Sequence, residues 1–234
     1  MRRLFLPLSD LLNLFYPHLC LACERNAPAY GEHICVPCQA TLPLANFHHA
    51  AENPFAERFW GRVPIEAAAA LYLFKKGSRV QHLLHQLKYR GKKEIGVLLG
   101  RQLGRQLSDS ALFKELDLIV PVPLHPRKQR LRGYNQSEMF AMGLSQGLRI
   151  PCVKDGLRRV VHAGSQTQKS REERAEKIKD YFEVKRPDLL SGKHILLADD
   201  VMTTGATLEV CAGCLLKQTG TKVSLATIAM AVKG

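Results

Sequence analysis

The chain has 234 residues, enough for one substantial hydrophobic core and a small additional module. Its 46% hydrophobic and 24% charged residues are typical of a globular protein, and no apolar run reaches the roughly 18 residues of a membrane span. Residues 1–60 hold 4 basic and 5 acidic residues, so the net charge of +13 belongs to the rest of the chain. That excess indicates a polyanionic partner, either a phosphorylated small molecule or a nucleic acid.

The first segment, MRRLFLPLSDLLNLFYPHLC, superficially resembles a signal peptide. However, Pro7, Asp10 and Asn13 interrupt its apolar run, and no small-x-small cleavage site follows. An amphipathic helix with Leu8, Leu11, Leu12 and Phe15 on its inner face is the better interpretation. We therefore expect a cytoplasmic protein without a membrane span.

Four cysteines form two C-x-x-C pairs with eleven residues between them, Cys20 with Cys23 and Cys35 with Cys38. Two such pairs can direct four thiolates at one point, which is the arrangement of a closed, structural zinc site. Zinc would stabilise this loop-rich segment by about 10–16 kcal/mol, by analogy with zinc-finger peptides. Two disulfides and an iron–sulfur cluster are the alternatives, and a cytoplasmic location disfavours the disulfides.

The other three cysteines lie outside this module. Cys211 and Cys214 form a third C-x-x-C on a predicted helix, and we assign both to the core, as we do Cys152. Gly96, Gly100 and Gly104, four residues apart, indicate close packing of helices.

Residues 41–64 look like an irregular connector. The predicted organisation is a helix and cysteine module at 1–45, the connector at 46–62, and a larger domain at 63–234. The elements predicted for the larger domain are a strand at 67–74, a helix around 80–87, a helix at 94–107, a strand within 116–123, a basic loop, a helix at 137–146 capped by Ser137, a strand at 194–198, a helix near 206–219 and a last strand in VSLATIAMAV. This alternation predicts a mostly parallel α/β sheet, with ligands at the carboxyl ends of its strands.

The stretch HILLADDVMTTGATL places Asp199 and Asp200 at the end of a strand, before a loop of small and hydroxyl residues. Main-chain N–H groups in such a loop, with a helix N-terminus behind them, bind an anion such as phosphate. Carboxylates accept strong hydrogen bonds from sugar hydroxyls, so a ribose 5-phosphate satisfies both halves. A Mg²⁺ site at the aspartates and a turn with an incidental Asp-Asp pair are the alternatives. The chain has neither a P-loop nor a G-x-G-x-x-G motif.

These residues resemble a known family. LLADDVMTTGAT is similar to the 5-phosphoribosyl-1-pyrophosphate (PRPP) signature of type I phosphoribosyltransferases. Together, the four cysteines, LKYRGKK, IVPVPLHPRKQRLRGYNQ and TQKSREER resemble the ComF family, which includes ComFC-like and GntX-like proteins, over essentially the whole chain. The resemblance implies a type I phosphoribosyltransferase-like fold, a mostly parallel sheet flanked by helices, with a small N-terminal four-cysteine zinc module.

The resemblance also implies roles for individual residues. Asp199 and Asp200 would bind the ribose hydroxyls, while Arg127 and Lys128 would contact the pyrophosphate together with Mg²⁺; these four are the implied catalytic residues. The implied PRPP-binding residues are Asp199, Asp200, Val201, Met202, Thr203, Thr204, Gly205, Ala206 and Thr207. A mobile hood from about residue 158 to 174 would contribute Gln166, Gln168, Arg171 and Arg174. The alternative for this basic segment is a solvated loop that binds nothing.

The implied activity is Mg²⁺-dependent transfer of phosphoribosyl from PRPP, or use of another ribose 5-phosphate, with an unidentified nitrogen acceptor and release of pyrophosphate. Residues 75–93, with Lys88, Tyr89 and Arg90, could form a wall of the acceptor pocket. The alternative is a non-enzymatic ComF-type competence protein that assists the uptake of single-stranded DNA as part of the DNA-uptake machinery. The basic domain suits a phosphate backbone, but 7% aromatic residues offer few platforms for base stacking.

Overall fold

The computed structural model describes residues 19–160 and 182–232. The N-terminal helix predicted before residue 19 and the hood residues Gln166, Gln168, Arg171 and Arg174 lie outside the described residues. Within the described ranges, no helix combines the length and the apolar character that crossing a membrane requires.

A four-stranded parallel sheet is the centre of the fold, as the alternation of elements predicted, and its strand order is β1–β6–β5–β2. Two further strands, β3 and β4, form a separate antiparallel pair. The strands are β1 (Ala68–Phe74), β2 (Leu118–Pro121), β3 (Leu157–Arg159), β4 (Phe182–Val184), β5 (His194–Met202) and β6 (Lys222–Ala231). The helices are α1 (Val36–Thr41), α2 (Arg79–Tyr89), α3 (Glu94–Ser108), α4 (Pro126–Arg132), α5 (Gln136–Leu148), α6 (Pro187–Leu190) and α7 (Ala206–Leu216).

The sheet separates two buried clusters. One cluster joins α2, α3 and α5 to the cysteine module, and the other joins α7 to the connector. The connector has only short 3-10 turns, yet its Phe55 and Phe59 are completely buried in the second cluster. Apolar side chains on both faces explain why the strands read as continuous hydrophobic runs.

Strand β5 is longer than predicted. It continues through Asp199 and Asp200 to Met202, because the main chain keeps pairing with β6 as far as Met230. Strand β2, on the other side of β5, ends at Pro121 opposite Ala198. The two aspartates therefore lie where one neighbouring strand has already ended, at the carboxyl edge of the sheet.

Helices α3 and α5 pack with their main chains in contact, which confirms the prediction made from the glycine spacing. A Cβ atom added at Gly100 would lie 2.1 Å from the carbonyl oxygen of Phe140, and one added at Gly143 would lie 2.2 Å from that of Val97. The glycines of this contact are Gly96, Gly100, Gly104, Gly143 and Gly147. No other residue type fits at such distances.

Two predictions in the basic segment were wrong. Residues 126–132 form helix α4 rather than a loop; it begins at Pro126, with the His125 ring as its cap, and ends at Gly133, whose φ is +79°. Its side chains are all outside the core, so no apolar periodicity marked it. The cap of α5 is Asn135, whose side chain accepts from the Ser137 amide at 3.1 Å, and the Ser137 hydroxyl bonds elsewhere.

Candidate functional site

A cleft of about 530 Å³ lies at the carboxyl ends of β1, β2 and β5. This is the position that the rule for parallel α/β sheets predicts. The cleft contains residues of α2, α4 and α5 as well as the end of β5 and the loop after it. The predicted site residues that line it are Lys88, Tyr89, Lys128, Asp199, Asp200, Val201, Thr203 and Thr207.

Asp199 is fixed through one of its two carboxylate oxygens. Its Oδ1 accepts from the Ser137 hydroxyl at 2.7 Å and from the Asp200 amide at 2.8 Å. Its Oδ2 has no hydrogen-bond donor among the described residues. Burial, followed by the charge of Asp200, raises the pKa of Asp199 to about 7, although the two donors and Lys88 act in the opposite direction.

Asp200 is fixed in the same way by a different group. Its Oδ2 lies 3.0 Å from Lys88 Nζ, and the side chains of Lys88 and Asp200 are 23% and 15% exposed. Asp200 Oδ1, like Asp199 Oδ2, has no donor within the part of the chain that the structure describes. The pair therefore offers two adjacent carboxylate oxygens to a ligand in the cleft.

The loop after β5 is open to a ligand. Thr203, Thr204 and Gly205 donate none of their main-chain N–H groups to acceptors in residues 19–160 or 182–232. Gly205 has a φ of +84°, and a Cβ atom there would lie 3.0 Å from the ring of Phe59. Glycine is thus required both by the backbone and by the connector below it. Next to the loop is a recess of about 40 Å³, lined by Asp199 and residues 201–208.

Basic side chains of α4 and of β3 also line the cleft. Lys128, Arg132 and Arg159 contribute to it, while Arg127 lies on the exposed part of α4 and does not line the cleft. The Arg132 guanidinium donates to Gln136 Oε1 at 2.8 Å and lies 5.1 Å from the centre of the Tyr89 ring. With two aspartates and four basic residues including Lys88, the cleft has an excess of positive charge that favours an anion.

Sequence reasoning missed three residues at the site: Ser137 and Arg132 line the cleft, and the ring of Phe59 lies next to Gly205 of the loop. Ser137 had been interpreted as a helix cap, and Phe59 as part of a connector without a role. Arg132 could have been found, because it follows Lys128 by four residues and both share one face once α4 is recognised as a helix. Of the predicted hood, only its first residues are described, and Arg159 among them lines the cleft.

The four cysteines meet at one point, as their spacing predicted. The Sγ atoms of Cys20, Cys23, Cys35 and Cys38 all lie within 4.8 Å of one another. Cys20 Sγ also accepts from the amides of Cys35 at 3.3 Å and of Ala22 at 3.4 Å. Four converging sulfurs with amide donors around them fit a tetrahedral metal such as zinc. In the described ranges no other cluster of three or more His, Cys, Asp or Glu side chains has this property.

The cysteine module packs on α2, the helix that carries Lys88. Gln86 Nε2 donates to the Leu21 carbonyl oxygen at 2.6 Å, and the Arg79 guanidinium donates to the Thr41 hydroxyl. The remaining cysteines have no such arrangement. Cys211 and Cys214 are buried on α7, which confirms their assignment to the core.

Known proteins resemble both parts of the chain. Residues 135–233, which include α5, β5 and the loop, match the family described as phosphoribosyl transferase domain. DNA utilization protein YhgH of Escherichia coli K12 is 33% identical over 138 residues, which are 58% of this chain and only 60% of that relative. Competence protein F of Haemophilus influenzae is 26% identical over 87% of this chain and 93% of its own length.

Two further similarities are weaker. Competence protein ComFC of Bacillus subtilis is 24% identical over 86% of this chain and 78% of its own length. The glutamine PRPP amidotransferase of B. subtilis, solved with ADP and GMP, is 18% identical and covers 62% of this chain and 30% of its own, with a TM-score of 0.43.

Proposed function

Because this chain is a ComF-like protein with a phosphoribosyl transferase domain, we propose that its cleft binds PRPP and transfers the phosphoribosyl group to a nitrogen acceptor. One observation carries the proposal. Each aspartate of the pair is held through one oxygen and presents the other to the cleft, directly beside a loop in which the amides of Thr203, Thr204 and Gly205 have no acceptor among the described residues. A vicinal diol and a phosphate on one small molecule match this combination.

The ribose and its phosphate would occupy the β5 end of the cleft. Asp199 Oδ2 and Asp200 Oδ1 would accept from the 2′ and 3′ hydroxyls of the ribose. The amides and hydroxyls of residues 203–207 would bind the 5′-phosphate, and the N-terminus of α7 adds a favourable dipole of about 0.3–1 kcal/mol. Asp199, Asp200, Val201, Met202, Thr203, Thr204, Gly205, Ala206 and Thr207 are the proposed PRPP-binding residues.

The pyrophosphate would lie towards the basic side of the cleft. Lys128, with Arg132 and Arg159 beside it, would stabilise the charge that grows on the leaving group. Arg127, on the exposed part of α4, would join them when α4 turns towards the bound ligand. Bound with PRPP, Mg²⁺ would add positive charge at the pyrophosphate oxygens.

In the transfer step, the bond from ribose C1 to the pyrophosphate oxygen breaks and pyrophosphate leaves with the electron pair. The new bond joins C1 to the acceptor nitrogen, and the proton that this nitrogen loses goes to the departing pyrophosphate. The residues proposed for the hood, Gln166, Gln168, Arg171 and Arg174, would exclude water that otherwise hydrolyses PRPP. Lys88 and Tyr89, which line the cleft, support an acceptor position beside α2.

Thermal unfolding with added ligand tests the proposal. Millimolar Mg²⁺-PRPP should raise the melting temperature of the zinc-loaded protein, because a ligand selective for the folded state stabilises it. The double substitution Asp199→Asn with Asp200→Asn should abolish the shift. Asp155→Asn with Asp188→Asn, which changes two exposed carboxylates outside the cleft, is the matched control. A wild-type protein that shows no shift would contradict PRPP binding.

A second candidate function is assistance of single-stranded DNA uptake, with the DNA-uptake machinery as partner. Helix α4 favours it, since all of its residues are outside the core and four of them are basic: Arg127, Lys128, Arg130 and Arg132. Tyr89, 62% exposed, lies beside Arg132 and could stack on a base. Fluorescence anisotropy with a labelled oligonucleotide tests this function. DNA binding of this kind should weaken steeply as the salt concentration rises, and also when Arg127→Gln and Arg130→Gln are combined. Binding that is insensitive to salt, or no binding at all, would contradict this function.

A further inference from the structure

We propose that Lys88 is the fixed cation of the aspartate pair, so that Asp199 and Asp200 form a sugar-diol site that binds no divalent metal of its own. The inference rests on the proposed function and assigns the charge balance of its ribose subsite. In this assignment Lys88 is a positioning residue, because it acts on the ligand through the orientation and charge of Asp200.

The position of Lys88 supports this assignment first. Its ammonium lies 3.0 Å from Asp200 Oδ2 and its side chain is only 23% exposed, so it is partly removed from water where its charge has most effect. A divalent ion that used the same carboxylate would meet this ammonium at close range. The repulsion between the two cations would oppose metal binding at the pair.

The hydrogen bonds of the other aspartate support it as well. Asp199 Oδ1 already accepts from the Ser137 hydroxyl and the Asp200 amide, so this carboxylate cannot use both oxygens to chelate an ion. Within the described ranges, no third carboxylate, histidine or thiol lies close enough to complete a group of three around the pair. A metal there would have two protein ligands and a lysine beside it, whereas a diol needs only the two outward oxygens.

The rigidity of α2 keeps Lys88 in this place. Leu83 and Leu87 are completely buried, and the carbonyl oxygen of Leu87 accepts from the Tyr134 hydroxyl. On the other side of the helix, Gln86 donates to Leu21 of the cysteine module at 2.6 Å. The ammonium is therefore presented by a helix anchored both to the core and to the module, not by a mobile surface segment.

The assignment has a direct consequence for ligand binding. A metal would enter the cleft only together with a pyrophosphate group that carries it. Ribose 5-phosphate, which has no pyrophosphate, should then bind equally well with and without Mg²⁺.

Isothermal titration calorimetry with ribose 5-phosphate, using the full zinc-loaded chain in buffers with and without millimolar Mg²⁺, tests this consequence. The wild-type dissociation constant should agree between the buffers within about twofold. Lys88→Met should weaken binding without Mg²⁺ by about tenfold, which corresponds to 1.4 kcal/mol, and Lys88→Arg should retain most of the affinity. Lys114→Met, which removes an exposed lysine outside the cleft, should bind as the wild type does.

Binding of Mn²⁺ alone, followed by electron paramagnetic resonance, gives a second readout that does not depend on ribose 5-phosphate. In the wild type, Asp200→Asn should leave Mn²⁺ binding unchanged, because the aspartate pair binds no ion. In Lys88→Met, a new Mn²⁺ site should appear, and adding Asp200→Asn to this variant should remove it. A wild-type site sensitive to Asp200→Asn, or ribose 5-phosphate binding that requires Mg²⁺, would overturn the inference and leave the proposed function intact. Absence of ribose 5-phosphate binding in both buffers would instead overturn the proposed function, and the diol assignment with it.

Discussion

The cysteine module and the aspartate cleft are both clusters of acidic side chains. The sulfurs of the module face one another, whereas the carboxylates of the cleft each turn one oxygen outward. In the module, four sulfurs face one another within 4.8 Å and neighbouring amides donate to them. In the cleft, each carboxylate keeps one oxygen for protein donors and presents the other outward, and in the adjacent loop the amides of Thr203, Thr204 and Gly205 have no acceptor within the ranges that the structure describes. The first arrangement is that of a structural metal site, and the second is the one we propose for ligand binding.

The difference has a thermodynamic side. Metal binding to the module would contribute folding free energy, because the converging thiolates do not exist in the unfolded chain. The cleft works against stability, because Asp199 is buried there beside another carboxylate.

Loss of the metal should give the largest effect. Replacing Cys20 and Cys23 by serine should remove one zinc per chain and destabilise the module by on the order of 10 kcal/mol. Native mass spectrometry gives the metal content and thermal unfolding the stability. Cys152→Ser, which changes a thiol outside the module, should keep the zinc. Retained zinc in the double variant would show that the four sulfurs do not act as one site.

Asp199→Asn should stabilise the protein at pH 8 by a few kcal/mol, as an order of magnitude for a pKa raised from 3.8 to about 7. A carboxyl with a raised pKa binds more protons folded than unfolded. The contribution of Asp199 to the free energy of unfolding is therefore most favourable below pH 3.8 and is lost as the pH rises through about 7. The charged or titratable groups facing Asp199 are Asp200, Lys88 and the Cys211 thiol of α7.

Chemical denaturation of wild type and Asp199→Asn at a series of pH values provides the measurement. The difference between the two proteins should grow from pH 5 to pH 8. If the difference in stability stays constant, or shrinks as the pH rises, the cleft does not destabilise the ionised form of Asp199.

Gly205→Ala should reduce stability by about 1–2 kcal/mol, because φ is +84° and the new methyl group would lie 3.0 Å from the Phe59 ring. The distorted loop should also lose affinity for inorganic phosphate. Gly213→Ala on α7 is the matched control, since a methyl group there meets no atom within 4 Å. It should leave phosphate binding unchanged and raise stability by up to about 1 kcal/mol. Equal phosphate affinity in wild type and Gly205→Ala would remove the loop from the proposed site.

Ser137→Ala should have the smallest effect and the most specific one. The Ser137 hydroxyl lowers the pKa of Asp199, so its removal should raise that pKa further. Ribose 5-phosphate binding should then weaken severalfold near pH 7 and recover at higher pH. Titration calorimetry from pH 6 to pH 9 measures this shift, and Asp199→Asn separates it from titration of the ligand phosphate. An unshifted pH profile would mean that Ser137 only supports the packing of α5.

Much of this structure could be predicted from local patterns. The cysteine spacing gave the four-sulfur cluster, and the glycine spacing gave the close packing of α3 and α5, because both depend on residues a few positions apart. The apolar run before Asp199 gave strand β5, although not its end, since pairing with β6 decides how far it continues.

The parts that were missed depend on contacts between distant positions. Ser137 and Asp199 are 62 residues apart in the chain, and nothing near either residue signals that they bond. Lys88 was predicted as part of a wall of the acceptor pocket, but its ion pair with Asp200, 112 positions along the chain, was not, and Phe59 was seen only as part of a connector. Helix α4 was missed for a different reason: it buries nothing, so hydrophobic periodicity could not reveal it.

The glycine contact between α3 and α5 has a chemical consequence at the cleft. Where main chain touches main chain, the separation of two helices is set by atoms that have no rotamers, so neighbouring side chains cannot compensate for a change. Ser137 lies in the first turn of α5 and donates to Asp199, so a side chain at Gly100 that displaced α5 should also disturb this hydrogen bond. Residues without any side chain thus help to hold the donor to a carboxyl group of the proposed ligand site.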